Sequence, residues 1–275
     1  MKKLFTLTLI LSLALAACSK SETATGEVAD KGRVAFSLGF DTQVAATRAE
    51  ATYGVECAVP ESDEFKLLLE GVKFDFDADY SFSKEYASVA DVKDEYLYRG
   101  TYRATVSYGD IAEEGYNKPA FVGVSNDFQI VPRSEVEVPI TATIANALVV
   151  VEVTDNFKTY FANGYTFNVE TAAGNTFSNV TATEGENAGK PLFIAPTSFK
   201  VVGSATKQAN QSGAAPVVVE MENSFDNLAP RTLYRVTMDV ENAGQATLKI
   251  TLNDTLVEEL NIDEELNPWA PTPEE

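Results

Sequence analysis

Residues 96–108, YLYRGTYRATVSY, form the stretch that most clearly indicates how this chain folds. Large or apolar side chains alternate there with polar ones. The positions expected to face inward are Tyr102, Ala104, Val106 and Tyr108. Alternation with a period of two is typical of a β-strand that has one buried face. The stretch therefore predicts a strand packed against a core.

Similar stretches run through nearly the whole chain. In the first half, strands are predicted over 34–40, 65–69, 74–82, 121–131 and 136–144, and a turn with a short helix over 83–95. In the second half, they are predicted over 148–153, 165–171, 192–195, 199–202, 217–221, 234–240, 246–252 and 256–262. The apolar run at 148–153, in which Glu152 is the one polar residue, is typical of a central strand. Short strands separated by Gly, Asn and Pro clusters predict an all-β protein built as antiparallel sandwiches.

The pattern restarts at residue 145, which predicts two tandem antiparallel β-sandwich domains, 33–144 and 145–263. An internal echo supports the division, since LYRGTYR at 97–103 is matched by LAPRTLYR at 228–235. Each is a turn followed by a tyrosine that enters an alternating strand. No linker-like composition separates the halves, so we expect a rigid boundary. An acidic, Pro-rich tail, 264–275, follows the second domain.

The first 18 residues, MKKLFTLTLILSLALAAC, have the order of an export signal. Two lysines precede an apolar run that is too short to span a membrane, and small residues close it. The ending resembles a bacterial lipobox, in which the cysteine is acylated and becomes the new N-terminus. The alternative is an ordinary signal peptide with an incidental cysteine. We expect a signal peptide over 1–17, lipidation at Cys18, and a flexible tether over 18–32.

Composition narrows the classes of function. The formal net charge of −20 disfavours nucleic acid and anionic lipid surfaces as partners. The chain has no histidine, which removes Ser-His and Cys-His nucleophile pairs and nearly every catalytic zinc site. With Cys18 acylated, Cys57 has no partner for an internal disulfide, and we expect its thiol to be buried and unreactive. We therefore predict a non-enzymatic protein without a cofactor, and keep a carboxylate-based enzyme acting on glycans as a remote alternative.

Three aspartates, Asp75, Asp77 and Asp79, invite a calcium interpretation because carboxylates at alternate positions are common ligands of that ion. An EF-hand loop needs a glycine after the third acidic position, whereas Tyr80 follows here. The aspartates also alternate with aromatic residues, as on a strand with one solvated face. We favour the solvated face and predict no metal site.

Two further surface features are considered. Thr255, within the stretch 254–256 (DTL), resembles the acceptor of Bacteroidetes O-glycosylation. Exposed tyrosines and phenylalanines could form a glycan-binding platform. In an all-β chain, however, most aromatic side chains lie in the core or in cross-strand pairs.

Several of these stretches together resemble a Bacteroidales lipoprotein family catalogued as a domain of unknown function. The likeness rests on the lipobox, RVAFSLGF at 33–40, TRA at 47–49 and the turn-strand at 97–106. It continues through ANALVV at 145–150 and the segment 156–169. The resemblance implies a fold and a location in the cell envelope, but no activity.

More distantly, the layout resembles the fimbrillins, the lipoprotein pilins of Bacteroidetes. That resemblance implies two transthyretin- or immunoglobulin-like sandwiches, and a trypsin-like cut after an arginine beyond the first strand. A strand of the next subunit then fills the groove. Arg48 lies where such a cut would fall, and the alternative is that it is an ordinary loop residue. The tail 264–275 departs from the family because proline cannot donate to a ladder, so 246–262 would have to be the donor.

The sequence as a whole predicts an outer-membrane, lipid-anchored binding or adhesion module on the cell surface or the periplasmic face. We expect a surface glycan or a protein as its ligand, held by loops such as 183–190 or 203–215. The alternative hypothesis is a self-assembling, fimbrillin-like pilus subunit or tip, matured by proteolysis after Arg48.

Overall fold

The computed structural model describes residues 29–44, 53–162, 164–207, 217–241, 245–252 and 255–262. Two predicted sites, Cys18 and Arg48, lie outside the described residues. The signal peptide 1–17 and the tail 264–275 lie outside them as well, and of the tether only 29–32 is described.

Strands make up most of the described chain. Up to residue 144 they are β1 (Lys31–Asp41), β2 (Gln43–Val44), β3 (Tyr53–Gly54), β4 (Lys66–Lys73), β5 (Ser83–Tyr86), β6 (Leu97–Tyr98), β7 (Gly100–Tyr108), β8 (Gly115–Tyr116), β9 (Phe121–Val124), β10 (Phe128–Ile130) and β11 (Glu135–Ile144). Beyond it they are β12 (Ala147–Val153), β13 (Tyr165–Thr171), β14 (Thr176–Phe177), β15 (Leu192–Ile194), β16 (Ser198–Lys207), β17 (Val217–Asp226), β18 (Thr232–Glu241), β19 (Gln245–Leu252) and β20 (Thr255–Ile262). The described helices are α1 (Asp155–Tyr160) and two 3-10 turns, Ser62–Glu64 and Val89–Asp94.

Three large sheets and one two-stranded sheet, β2-β3, organise the described strands, which confirms the all-β, sandwich-type fold. The first has the order β5-β4-β7-β9-β11-β1-β6, with β10 also paired to β7. The second has the order β20-β19-β18-β12-β15-β8, and the third β14-β13-β16-β17. Most neighbours are antiparallel, but β1 runs parallel to β11 and β12 runs parallel to β18. Both parallel pairs join strands far apart in sequence, because a parallel pair needs a long crossover connection.

The second sheet is shared by two hydrophobic clusters. Leu148, Phe193 and Leu233 belong to the cluster that contains the core of the first sheet. Ala147, Val149 and Val151 of β12 belong to the other, which contains the core of the third sheet. Strand β12 also has a hydrogen-bonded neighbour on each side, β15 and β18. The prediction of a central strand is thus confirmed, although Val150 is half-buried and Glu152 is exposed.

The stretch 96–108 also folds largely as predicted. Tyr102, Ala104 and Val106 are completely buried, and Tyr108 is half-buried. Arg99 separates the short strand β6 from β7.

The strand predicted over 74–82 is wrong, because this segment is a loop between β4 and β5. The ring of Phe74 fills the space above two glycines of neighbouring strands: a Cβ at Gly71 would lie 2.3 Å from its Cζ atom, and one at Gly100 2.5 Å from its Cδ1 atom. The Gly71 N–H donates to the carbonyl of Phe82 at 2.8 Å, which closes the loop. Strand β5 begins only at Ser83, so the residues predicted as a turn begin with a strand and continue into the 3-10 turn Val89–Asp94.

Two other segments differ from the prediction. The stretch 121–131 forms two strands, β9 and β10, rather than one. Helix α1 was not anticipated, and it begins after Thr154, whose hydroxyl accepts a hydrogen bond from the Phe157 N–H at 3.2 Å.

Several contacts join the parts predicted as domains 33–144 and 145–263. Strand β8 pairs with β15 and so extends the second sheet. The Glu114 carboxylate accepts hydrogen bonds from the Thr171 hydroxyl, from Asn175 Nδ2 at 2.9 Å and from the Ala195 N–H at 2.9 Å. At another point, Arg231 donates to the Gln43 carbonyl at 2.7 Å and to the Asp41 carboxylate.

Candidate functional site

A cleft of about 410 Å³ lies between the second sheet and the segment 180–190. We call it the sheet cleft. Its floor consists of apolar or aromatic side chains of the sheets: Tyr116, Val149, Val151, Val153, Val169 and Leu192. Its covering wall comes from Val180, Thr181, Ala182, Thr183, Ala188 and Gly189. The predicted recognition loop 183–190 therefore forms part of this wall.

The wall is held in place by backbone hydrogen bonds. The Val180 N–H donates to the Phe167 carbonyl of β13 at 2.9 Å, and the chain reaches β15 again at Leu192. Between these points, Gly185 and Gly189 adopt φ angles of 106° and 67°, which favour glycine. The Thr181 hydroxyl is buried and has no hydrogen-bond partner among the described atoms. A buried hydroxyl without a partner is costly, so a ligand or water that satisfied it would be stabilised.

Charged side chains stand at the rim of the cleft. Lys158 lies 3.0 Å from Asp155, and this hydrogen bond raises the pKa of its ammonium group. Lys190 and Glu152 complete the charged lining, and Glu152 lies 3.6 Å from Arg235. Burial raises the pKa of Tyr116, which keeps its phenol neutral and able to donate a hydrogen bond. An apolar floor with a few polar groups is the usual chemistry of a binding pocket.

The cleft lacks the arrangement that hydrolysis would need. Glycosidases place two carboxyl groups across the scissile bond, whereas Glu152 is the one carboxylate among the described residues that line this cleft. The Cys57 thiol lies elsewhere, and burial raises its pKa, which disfavours the reactive thiolate. The geometry favours binding over catalysis.

The predicted aspartates do not come together as a metal site. All three are exposed; Asp75 lies 2.9 Å from Lys73, and Asp77 Oδ1 accepts a hydrogen bond from the Asp79 N–H at 2.9 Å. Throughout the residues with described coordinates, there is no group of three or more acidic, Cys or His side chains that could hold a metal ion. Asp77 therefore stabilises a turn.

Two other predicted features have partial outcomes. Thr255 is the first residue of β20, where it pairs with Leu252 in the ladder, and its modification stays a prediction. Of the predicted loop 203–215, residues 203–207 belong to β16, so that part of the prediction is wrong, and 208–215 lie outside the described residues. Sequence reasoning also missed Tyr116 and Lys158, whose roles depend on the pairing of β8 and on helix α1.

Residues 30–268 match a protein family described as "Domain of unknown function (DUF4493)". No match was found among curated proteins. In the part of the chain that the structure describes, no helix has the length and apolar character needed to cross a membrane.

Several solved structures are similar to this chain at low identity. One is a candidate cell adhesion protein of Bacteroides ovatus, with 10% identity, coverage of 85% of this chain and 99% of that one, and a TM-score of 0.39. Another is a fimbrial assembly protein of Parabacteroides distasonis, with 11% identity and a TM-score of 0.37. The match covers 73% of this chain and 92% of that one. A third belongs to candidate polysaccharide binding proteins of Bacteroides thetaiotaomicron, with 10% identity and a TM-score of 0.36. The match covers 86% of this chain and 99% of that one. At these scores the likenesses say nothing about what this chain binds.

Proposed function

This chain belongs to the family described as a domain of unknown function (DUF4493), and from that premise we propose that it is a non-enzymatic binding or adhesion module of the cell envelope. The observation that carries the proposal is the sheet cleft. Its floor belongs to a sheet that is packed on both faces, so the site is held rigidly, as recognition requires.

The N-terminal sequence supports a location in the envelope. An export signal over 1–17 that ends in a lipobox would leave the folded body attached to the outer membrane through acylated Cys18. The acidic body would be repelled by anionic lipid, so the lipid anchor would be its main contact with the membrane. The ligand would be a glycan or a protein presented at the cell surface.

The test measures binding of the full chain to arrayed glycans, mucin, collagen and fibronectin by biolayer interferometry. Ala182→Trp should fill the sheet cleft and weaken binding at least about tenfold, since the bulky ring displaces the ligand. Ala172→Trp is the matched control, because Ala172 is exposed and lies outside the cleft. Equal binding by both variants, or the absence of binding to any probe, would overturn the assignment to the cleft.

A specific observation favours the pilus subunit as a second candidate. Strand β1 pairs with β11 from Arg33 to Asp41, but its other edge meets β6 only at residues 31–32. A groove of about 360 Å³ runs between β1 and the 3-10 turns, and Val34 of this strand is buried in the core. Loss of β1 after a cut at Arg48 would uncover β11 and invite a replacement strand.

The N-terminus of the protein isolated from its native cells separates the two candidates. Mass spectrometry that finds a major species beginning at Ala49 would support maturation and assembly. A single species beginning at acylated Cys18 would exclude strand exchange by this route and leave the tethered module.

A further inference from the structure

An exposed group of aromatic rings lies on the first sheet, distant in sequence from the sheet cleft. Phe76 and Tyr80 of the 74–82 loop lie over Tyr98 of β6, with ring centroids 5.4 Å and 5.6 Å from it. Phe76 is 36% exposed, and the two tyrosines are half-buried. We call these three residues the aromatic ledge.

The loop that carries the ledge is held firmly. Phe74 anchors it over Gly71 and Gly100, and its ring meets that of Tyr80 edge-on at 4.7 Å. The turn at Asp77 fixes the backbone between the two loop rings. A rigid aromatic surface loses little conformational entropy on binding, which favours recognition.

A polar groove of about 360 Å³ adjoins the ledge. It crosses the paired ends of β7 and β10, where Thr101 lies opposite Gln129, and it is also lined by Asp75 and Arg99. Asp75 precedes Phe76 in the chain and Arg99 follows Tyr98, so two segments each contribute one residue to the ledge and one to the groove. Carboxylate and guanidinium groups thus lie next in the chain to rings of the ledge.

From this juxtaposition we infer that the ledge and the groove together bind a neutral carbohydrate chain. A pyranose ring has an apolar face of polarised C–H groups, which packs on the electron-rich face of an aromatic ring. Neighbouring hydroxyl groups of the sugar each donate and accept hydrogen bonds. Planar side chains with two hydrogen-bonding atoms, such as those of Asp75, Arg99 and Gln129, can bind two such hydroxyls at once. The site goes beyond the proposed sheet cleft, because its residues come from the other side of the shared sheet.

Charge selects the neutral class of carbohydrate. Asp75 and Asp77 flank Phe76 in the loop, Asp79 precedes Tyr80, and the whole chain carries a formal charge of −20. Arg99 is also turned toward an acid, with its Nε atom 3.9 Å from Asp30. Uronate-rich or sulfated chains would therefore be repelled, whereas neutral hydroxyl-rich chains would not.

The test is native affinity electrophoresis of the full chain in gels that contain yeast mannan, dextran or galactomannan, with polygalacturonate as the anionic comparison. We expect retardation by at least one neutral polymer and none by polygalacturonate. Phe76→Ala and Gln129→Ala should each weaken binding about tenfold, the first by removing a stacking ring and the second by removing a hydrogen-bonding amide. Phe76→Tyr keeps a ring and should bind nearly as the parent does.

Two controls make the outcome specific. Tyr96→Ala removes a ring that is 51% exposed and belongs to neither the ledge nor the groove, so it should bind as the parent does. Ala182→Trp fills the sheet cleft and shows whether polysaccharide binding belongs to that site instead. Retardation that is lost in Ala182→Trp but kept in Phe76→Ala and Gln129→Ala would overturn the inference while supporting the proposed cleft. No retardation by any neutral polymer, or equal retardation by polygalacturonate, would overturn the inference alone, because the cleft is tested separately against arrayed ligands.

Discussion

Leu148→Ala tests whether the shared sheet makes the described chain one cooperative unit. Leu148 is completely buried and packs on the cluster of the first sheet, whereas its neighbour Val149 packs on the cluster of the third. The substitution removes three carbons, about 2.4 kcal/mol in transfer free energy alone. With the cavity left behind, we expect the free energy of unfolding to fall by about 3–5 kcal/mol. Val149→Ala removes two carbons from the opposite face and should cost about 1–3 kcal/mol.

Urea unfolding followed by circular dichroism, together with hydrogen exchange of β7 and β13, measures the effect. If the shared sheet couples both clusters, each variant shifts a single transition, and protection falls in β7 and in β13 alike. For Leu148→Ala the midpoint should fall by about 1–2 M urea. The reasoning is refuted if unfolding is biphasic, with Leu148→Ala affecting β7 alone and Val149→Ala affecting β13 alone.

Three other predictions concern single contacts. Glu114→Gln places an amide donor among groups that donate to the carboxylate, so the free energy of unfolding should fall by about 1–3 kcal/mol. Glu113→Gln, at an exposed position, should change that free energy little. Chemical denaturation of both variants checks this. The pKa of Asp41 is held below its ordinary value first by the hydrogen bond from the Gln43 N–H, so its stabilising contribution is present above about pH 3.8 and is lost as the pH falls through the lower folded-state value. Denaturation of the parent and Asp41→Asn should therefore differ at neutral pH and converge in strong acid, and a constant difference would contradict the assignment. Gly100→Ala pushes a methyl group into an aromatic ring only 2.5 Å from the new Cβ, and should cost about 1–3 kcal/mol in thermal unfolding; an unchanged melting temperature would contradict the packing described.

The local sequence pattern was sufficient to predict a strand where one periodicity dominates. Strand β13 begins and ends at the predicted residues 165 and 171, and β12 is the predicted central strand. In each strand the apolar side chains occupy most of the buried positions, so the sequence pattern predicts the strand. The wall of the sheet cleft was partly anticipated through the loop 183–190, which is rich in polar residues and glycine.

The errors arose where long-range contacts outweigh local pattern. The stretch 74–82 alternates aromatic and acidic residues like a strand, but Phe74 packs over glycines of two other strands and draws the segment out of the sheet. The parallel pairs β1 with β11 and β12 with β18 also depend on partners about 100 and 85 residues away, which no local period can reveal. Tyr116 reaches the cleft for the same reason, because β8 pairs with a strand of the other half.

The parallel register of β1 and β11 has a mechanical consequence. A pulling force that enters through the chain before Lys31 acts along β1, as it would in a protein tethered at its N-terminus. The rungs from Arg33 with Glu135 to Asp41 with Thr143 then share the load in shear, instead of opening one at a time from an end as in a zipper. Because many rungs must break together, β1 resists a force in this direction better than a strand that is peeled from one end.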